Sequence, residues 1–364
     1  KKLSTINFSN YESTDVVIKL IIEAAAKASQ TNRVSYWKYK ESRIVCKNLY
    51  FLDTNSYGKK IIFKKEDFPI YFKSINSNTL LNAPDVFEKH EVSEFKADYF
   101  LNNNIKSLLD IPIFLNGELI GIVCFENTSI KVNWDNEDIN FARTISDFIS
   151  LAIASQKRDE AEKKLKYKSD LLSAMAICTE KFLSSKDIDA IFDDVLIIMG
   201  KTTKSHRAYY YENDETTGLI SQKYRWIINN DTLTENNVNL QNLPHHYFEE
   251  LLNPLLNNRI YKAIVRKIKN ESLKTKLSNI EVASIIIFPI FVKNNFHGFL
   301  GFDDTKNERI WSEDEVNILK TLARNISYSI ERITNETAIH ESEEKFRLLA
   351  NNIPGTVYLS KFDE

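Results

Sequence analysis

The sequence predicts an α+β chain built from two copies of one domain, each a central antiparallel sheet with helices packed on it, joined by a long linker helix. Three observations lead there. The chain repeats itself at one fixed, long offset. Within each copy the apolar periodicity runs helix, strand, strand, variable segment, strand, strand, helix, which places helices on one side of an antiparallel sheet. The length of 364 residues suits two or three domains, and 43% hydrophobic residues with 27% charged is an ordinary globular balance with material for two cores.

The repeat is explicit in the residues. Ile111-Pro112-Ile113-Phe114 returns as Phe288-Pro289-Ile290-Phe291. Gly121 matches Gly298, Phe125 matches Phe302 and Trp134 matches Trp311. The offset is 177 residues throughout, from Pro112 to Pro289 and from Trp134 to Trp311, and the register holds through Thr144/Thr321 and Ile149/Ile326. A period this long means a duplicated domain, not a solenoid.

Each element follows from its own chemistry. Val16–Ala28 is amphipathic, and Val34–Tyr39 with Ile44–Phe51 forms a hairpin; the second copy has Ile188–Thr203, Arg207–Tyr211 and Leu219–Ile227. Leu108–Leu115 and Leu119–Glu126 flank Asn116-Gly117, a two-residue turn that needs positive φ. Ser284–Val292 and Phe296–Phe302 flank Lys293-Asn294-Asn295, where Asn tolerates the left-handed conformation. A capping box opens the last helix of each copy: Ser312 with Glu315, and Asp135 with Asp138 in weaker form. The copies disagree over Ser74–Lys106 and Leu243–Ile280, the second of which reads as charged and irregular.

Composition excludes several classes. Lys+Arg 48 against Asp+Glu 50 gives a net charge of -2, so no nucleic-acid partner is expected. No apolar run approaches the length of a membrane span, so no direct membrane insertion is expected in this segment. Cys46, Cys124 and Cys178 are far apart, form no metal-type pair and fit a reducing, cytoplasmic setting. The chain begins with Lys1, as a fragment or engineered piece would.

The run Ala97-Asp98-Tyr99-Phe100-Leu101, Ile105 through Ile113, Asn116-Gly117-Glu118-Leu119-Ile120-Gly121 and Trp134 resembles the GAF domain family, and the second copy resembles it through Ala283-Ser284, Pro289-Ile290, Gly298–Phe302 and Trp311–Glu315. The tail Glu341–Gly355 resembles the first helix and turn of a PAS domain, with too few residues left to fold, so Glu364 is not expected to be the natural C-terminus. The expected domains are an extension at 1–13, GAF domain 1 at 14–153, a linker helix at 154–185, GAF domain 2 at 186–332, and a linker with a truncated PAS start at 333–364. GAF-GAF-PAS order implies the input region of a bacterial sensor histidine kinase, or of a diguanylate cyclase. The connecting stretch carries a weak heptad, Leu151, Ala154, Arg158, Ala161, Leu165, Lys168, Leu172, Met175 and Phe182, continued later by Ile326, Ile330, Ile333 and Thr337. Two arrangements fit it: a helix packed on its own domain, or a parallel coiled coil making a homodimer.

No catalytic constellation appears, and no metal site. His340-Glu341 superficially matches a phosphoacceptor motif but reads as a solvated linker; His245-His246 beside Pro244 lack a third metal ligand. There is no nucleophile elbow and no Gly-rich phosphate loop. Among ligands that the GAF resemblance implies, Lys361–Glu364 only mimics a cyclic-nucleotide signature, Cys46 and Cys124 are misplaced for a bilin, Asp110-Ile111-Pro112 sits on a hairpin strand instead of at a chromophore, and His90 is a weak haem candidate. The cofactor stays unknown. What remains is a pocket for an unidentified small molecule between the sheet and the variable segment, lined by Trp37, Tyr39 and Tyr99 in the first copy and Tyr209, Tyr211 and Trp226 in the second, unless those rings simply fill the cores. The alternative is a ligand-free dimerisation scaffold. A free-standing methionine sulfoxide reductase would need clustered cysteines, which are lacking.

Overall fold

The computed structural model describes residues 11, 13–77, 80–228 and 240–352. They fall into two compact units, Lys1–Lys164 and Leu165–Glu364.

In the first unit, α1 (Thr14–Ser29) buries Val17, Ile18, Ile21, Ile22, Ala25 and Ala26, the i, i+4 stripe of an amphipathic helix. The chain continues through β1 (Arg33–Lys40), β2 (Arg43–Phe51), β3 (Ser56–Tyr57), β4 (Ile62–Lys64), α2 (Pro69–Asn76), β5 (Leu81–Ala83), β6 (Ser107–Leu115) and β7 (Glu118–Asn127) to α3 (Asn136–Ser184). The sheet is antiparallel, in the order β3-β2-β1-β7-β6-β5, with β4 also pairing β2. One face packs on α1 and the start of α3, through Val34, Tyr36, Leu109, Ile111, Val123 and Phe125. The other face is covered by the variable segment, through Trp37, Ile44, Phe72, Phe95 and Phe100. Both faces are buried, so the strands read as near-continuous apolar runs.

The second unit repeats the plan: α4 (Asp189–Thr203), β8 (Arg207–Asp214), β9 (Leu219–Ile227), β10 (Leu243–Pro244), α5 (Glu249–Leu256), β11 (Tyr261–Ile264), α6 (Glu271–Asn279), β12 (Ser284–Val292), β13 (Asn295–Asp304) and α7 (Glu313–Asn352). Its strand order, β10-β9-β8-β13-β12-β11, matches the first. The stretch expected to be irregular holds α5 and α6, which bury Leu251, Leu252, Leu255, Leu273 and Leu277. Their turns are short and mixed with charge, which hid the periodicity.

The repeat extends to detail. The hairpin strands carry a bulge at Ile113/Phe114 and again at Ile290/Phe291. Asn116, Gly117, Lys293 and Asn294 all take positive φ in the turns. Both capping boxes close: Ser312 N–H donates to Glu315 Oε2 at 2.7 Å, and Glu315 N–H to Ser312 Oγ at 3.3 Å. Asp135 N–H donates to Asp138 at 3.1 Å and Asp138 N–H to Asp135 at 3.0 Å.

The linker is one continuous helix, α3, of 49 residues. Of its heptad stripe, Met175 and Phe182 are core residues of the second unit, while Leu151, Leu165 and Leu172 are exposed. Lys168 pairs with Asp314 at 3.1 Å within its own chain. The PAS-like stretch is exposed helix from Glu341 to Leu349, and residues 353–364 lie outside the described residues. No described helix is long and apolar enough to cross a membrane.

Candidate ligand-binding site

The face of the first sheet away from α1 and α3 carries an unusual set of side chains. Alternation along β1 points Arg33, Ser35 and Trp37 toward the variable segment; along β6 and β7 it points Leu108 and Asp110, then Ile122, Cys124 and Glu126. Arg33 lies opposite Glu126 across β1 and β7. The guanidinium Nε is 3.1 Å from Glu126 Oε2, with both side chains buried. Arg33 also donates to the Tyr99 hydroxyl at 3.1 Å, and its guanidinium sits over the Tyr99 ring. The ion pair is not an aligned hydrogen bond, and neither oxygen of Glu126 has a hydrogen-bond partner.

Asp110 is the second buried carboxyl, 2% exposed. The Tyr71 hydroxyl on α2 donates to its Oδ2 at 2.7 Å, and Oδ1 has no hydrogen-bond partner. Burial pushes the Asp110 carboxyl up to about 7, against the pull of Cys124 and Tyr71. Burial also raises Glu126, with Arg33 holding it back, and raises the Cys124 thiol, which lies beside both carboxyls.

Tyr71, Asp110, Cys124 and Glu126 line a cavity of about 20 Å³ with Trp37, Phe63, Phe95, Tyr99 and Phe100. The rings interlock: Phe63 stacks on Trp37 at 5.1 Å and meets Phe95 and Tyr99 edge-on at 5.0 and 5.2 Å. The roof is held by its own polar contact, since Glu94 accepts from the backbone N–H of Ile70 and Tyr71 at the start of α2. Tyr39 lies on the same face of the sheet, half-buried near Phe72, outside the cavity lining. Trp37 and Tyr99 are thus brought together and Tyr39 is not.

The second sheet keeps the ion pair and loses the cavity chemistry. Arg207 pairs with Asp303 at 2.8 Å across β8 and β13, at the positions of Arg33 and Glu126. Ile287 stands where the first copy has Asp110, and Gly301 where it has Cys124. Tyr209, the counterpart of Ser35, lies across Gly301: a Cβ there would meet Tyr209 Cε2 at 2.1 Å. Tyr211 stacks on Phe299 at 4.8 Å and its hydroxyl donates to Gln222. Trp226 is on the opposite face. It pairs with Ala208 and packs on Gly200 of α4, whose added Cβ would meet the indole at 2.1 Å. A bulge at Tyr210/Tyr211 shifts the register, so counting along the strand alone misplaces this ring.

The GAF domain family matches residues 13–153 and 187–330. The chain belongs to the GAF domain family. A curated relative, the methanogenesis regulatory histidine kinase FilI of Methanothrix harundinacea, is 35% identical over 188 residues, 51% of this chain. The match spans about a fifth (20%) of that relative's length. Similar solved structures include a phycocyanobilin-bound GAF domain from a cyanobacterial phytochrome (17% identity, 46% of this chain and 96% of that one, TM-score 0.40) and a GAF domain from an Acinetobacter phosphoenolpyruvate-protein phosphotransferase (12%, 44% and 93%, TM-score 0.35).

Sequence reasoning about these GAF domains named Trp37 and Tyr99 among the rings of the cavity, missed Phe63, Phe95, Phe100 and Tyr71 as well as Arg33 and Glu126, and set Asp110 aside as a misplaced chromophore motif. The signal was present. Arg33/Arg207 and Glu126/Asp303 are charged residues inside apolar strand runs, at matching positions of both copies. Among the described residues, no group of His, Cys, Asp or Glu is placed to hold a metal ion.

Proposed function

We propose that the chain is the sensory input region of a signal-transduction protein, with the first GAF domain as the ligand-binding unit and the second as a filled structural copy. A histidine kinase is the favoured output, supported by the relative's name and length; a diguanylate cyclase is the alternative. The domains run 14–153 and 186–332, with a linker helix at 154–185 and a linker with the start of a PAS domain at 333–364, and the linker helices pair two protomers in a homodimer.

The observation that carries this proposal is the double duty of β6. On one face it presents Asp110 to the cavity. On the other, Ser146 and Ser150 of α3 donate to its Pro112 and Phe114 carbonyls at 3.0 and 2.6 Å. A ligand that displaces the Tyr71 hydroxyl from Asp110 therefore acts on the strand that grips the linker helix. A change in that grip moves a packed helix between discrete positions.

The experiment is a thermal-shift screen of the chain against nucleotides, amino acids, organic acids, amines and haem. At least one compound should raise the melting temperature saturably, with the shift lost in Phe63→Leu and kept in Tyr211→Phe. The ligand-free scaffold is favoured by the small cavity and the plugged second sheet; a blank screen with an intact dimer supports it instead.

A further inference from the structure

The cavity of the first GAF domain has a charge and shape that name a ligand class. Of its two buried carboxyls, only Glu126 pairs with a guanidinium, that of Arg33. Asp110 therefore has no cationic partner, and its Oδ1 is a buried acceptor without a hydrogen bond, beside only the weak donor Cys124. Around it stand the faces and edges of Trp37, Phe63, Phe95 and Tyr99. Aromatic faces carry partial negative charge and attract cations, most strongly where water is excluded. An anion would meet the unpaired Asp110 carboxylate, and a neutral apolar molecule would leave the Oδ1 acceptor bare. The space of about 20 Å³ is that of about one water molecule, so an organic ammonium ion enters only if roof rings such as Phe63 and Phe95 move.

We propose that the first GAF domain binds a small organic ammonium ion, whose charged nitrogen sits against Asp110 and whose alkyl groups contact the Trp37–Phe63–Tyr99 rings. The proposal deepens the sensory assignment above and rests on it. The cation makes the ion pair that Asp110 lacks, and it competes with the Tyr71 hydroxyl for the same carboxylate. The second domain cannot take such a ligand, because Ile287 replaces the carboxylate and the Tyr209 ring occupies the space over Gly301.

The test uses the whole 364-residue chain at pH 8. Methylammonium, dimethylammonium and tetramethylammonium chlorides are titrated against intrinsic tryptophan fluorescence and melting temperature, with sodium chloride, sodium acetate and tert-butanol as controls. At least one ammonium probe is expected to give a saturable response that the controls do not, at least tenfold weaker in Asp110→Asn and in Phe63→Leu, and unchanged in Tyr209→Phe. Phe63→Leu serves independently if the Asp110 variant does not fold. No saturable response to any of the three, or one that survives both variants, overturns the proposal. A carboxylate or neutral compound that binds saturably and is lost in Phe63→Leu overturns the ligand class and leaves the sensory site standing. A chain that binds nothing across the full screen overturns both.

Discussion

Tyr209 lies so close over Gly301 that the glycine position has no room for a single added carbon: a Cβ would meet Tyr209 Cε2 at 2.1 Å and Cζ at 2.5 Å. In the first copy the same two positions are Ser35 and Cys124, and a cavity opens between sheet and roof. Gly301→Ala should therefore destabilise the second domain by about 1–3 kcal/mol, the usual cost of overpacking. In a Tyr209→Ser background, itself destabilised by the cavity left behind, Gly301→Ala should add little further loss, because the obstructing ring is gone. Denaturant unfolding of both variants checks this; a Gly301→Ala loss below about 0.5 kcal/mol contradicts the packing described.

The buried ion pairs give a second expectation. Removing one partner leaves an uncompensated buried charge, so Glu126→Gln or Arg33→Met alone should cost roughly 3–5 kcal/mol. Replacing both, as Arg33→Met with Glu126→Leu, should recover most of that loss. Chemical denaturation of the single and double variants measures the coupling, and additive losses would show that the 3.1 Å contact matters little.

Asp110 makes stability depend on pH with a definite sign. Its carboxyl is pushed up to about 7 in the folded protein, against 3.8 ordinarily. The folded state therefore holds a proton that the unfolded chain has released, so this group's contribution is best below about pH 4 and declines as pH rises toward 7. Asp303, pushed up to about 6, adds a change of the same sign over a narrower window. Asp110→Asn should match the parent near pH 4 and exceed it at pH 8 by on the order of 2–4 kcal/mol. Melting curves from pH 4 to 8 test this, and parallel curves for the two proteins would contradict it.

The start of α7 is fastened by Ser312 and by Glu315, which also accepts the Tyr167 hydroxyl of α3 at 2.6 Å and pairs with Arg309. Ser312→Ala should cost about 1 kcal/mol as a lost N-cap. Tyr167→Phe should cost a comparable amount or more, because it removes one donor from a buried carboxylate. Unfolding of the two single variants and the double, followed through the second domain, checks whether the losses couple.

The fold was legible where periodicity and punctuation were strong. Pro112/Pro289, Trp134/Trp311 and the two capping boxes placed the duplicated sheets and helices in register. Legibility failed where short elements share residues with polar roofs: α5 and α6 have only two or three turns each, too few for a stripe to stand out. Of the six aromatic residues, Trp37 and Tyr99 line the cavity and Tyr209 and Tyr211 lie on the corresponding face of the second sheet, but Trp226 turns to the helices because a bulge resets the alternation. The buried charges went unrecognised for a different reason. A lone Asp110 within Leu108-Leu109-Asp110-Ile111 looks like an interruption until both copies are laid side by side and Ile287 is seen to replace it.

Under the proposed function, the first domain binds the ligand and the second does not. Hydrogen–deuterium exchange of the whole chain, with and without a saturating compound from the screen, tests it most directly. The predicted result is added protection in α2, at residues 80–106 and in β6, together with altered exchange at the start of α3, and no change over Leu243–Ile280. Protection concentrated at residues 243–280, or none in the first domain with any compound that binds, would show that the first domain is not the sensing unit.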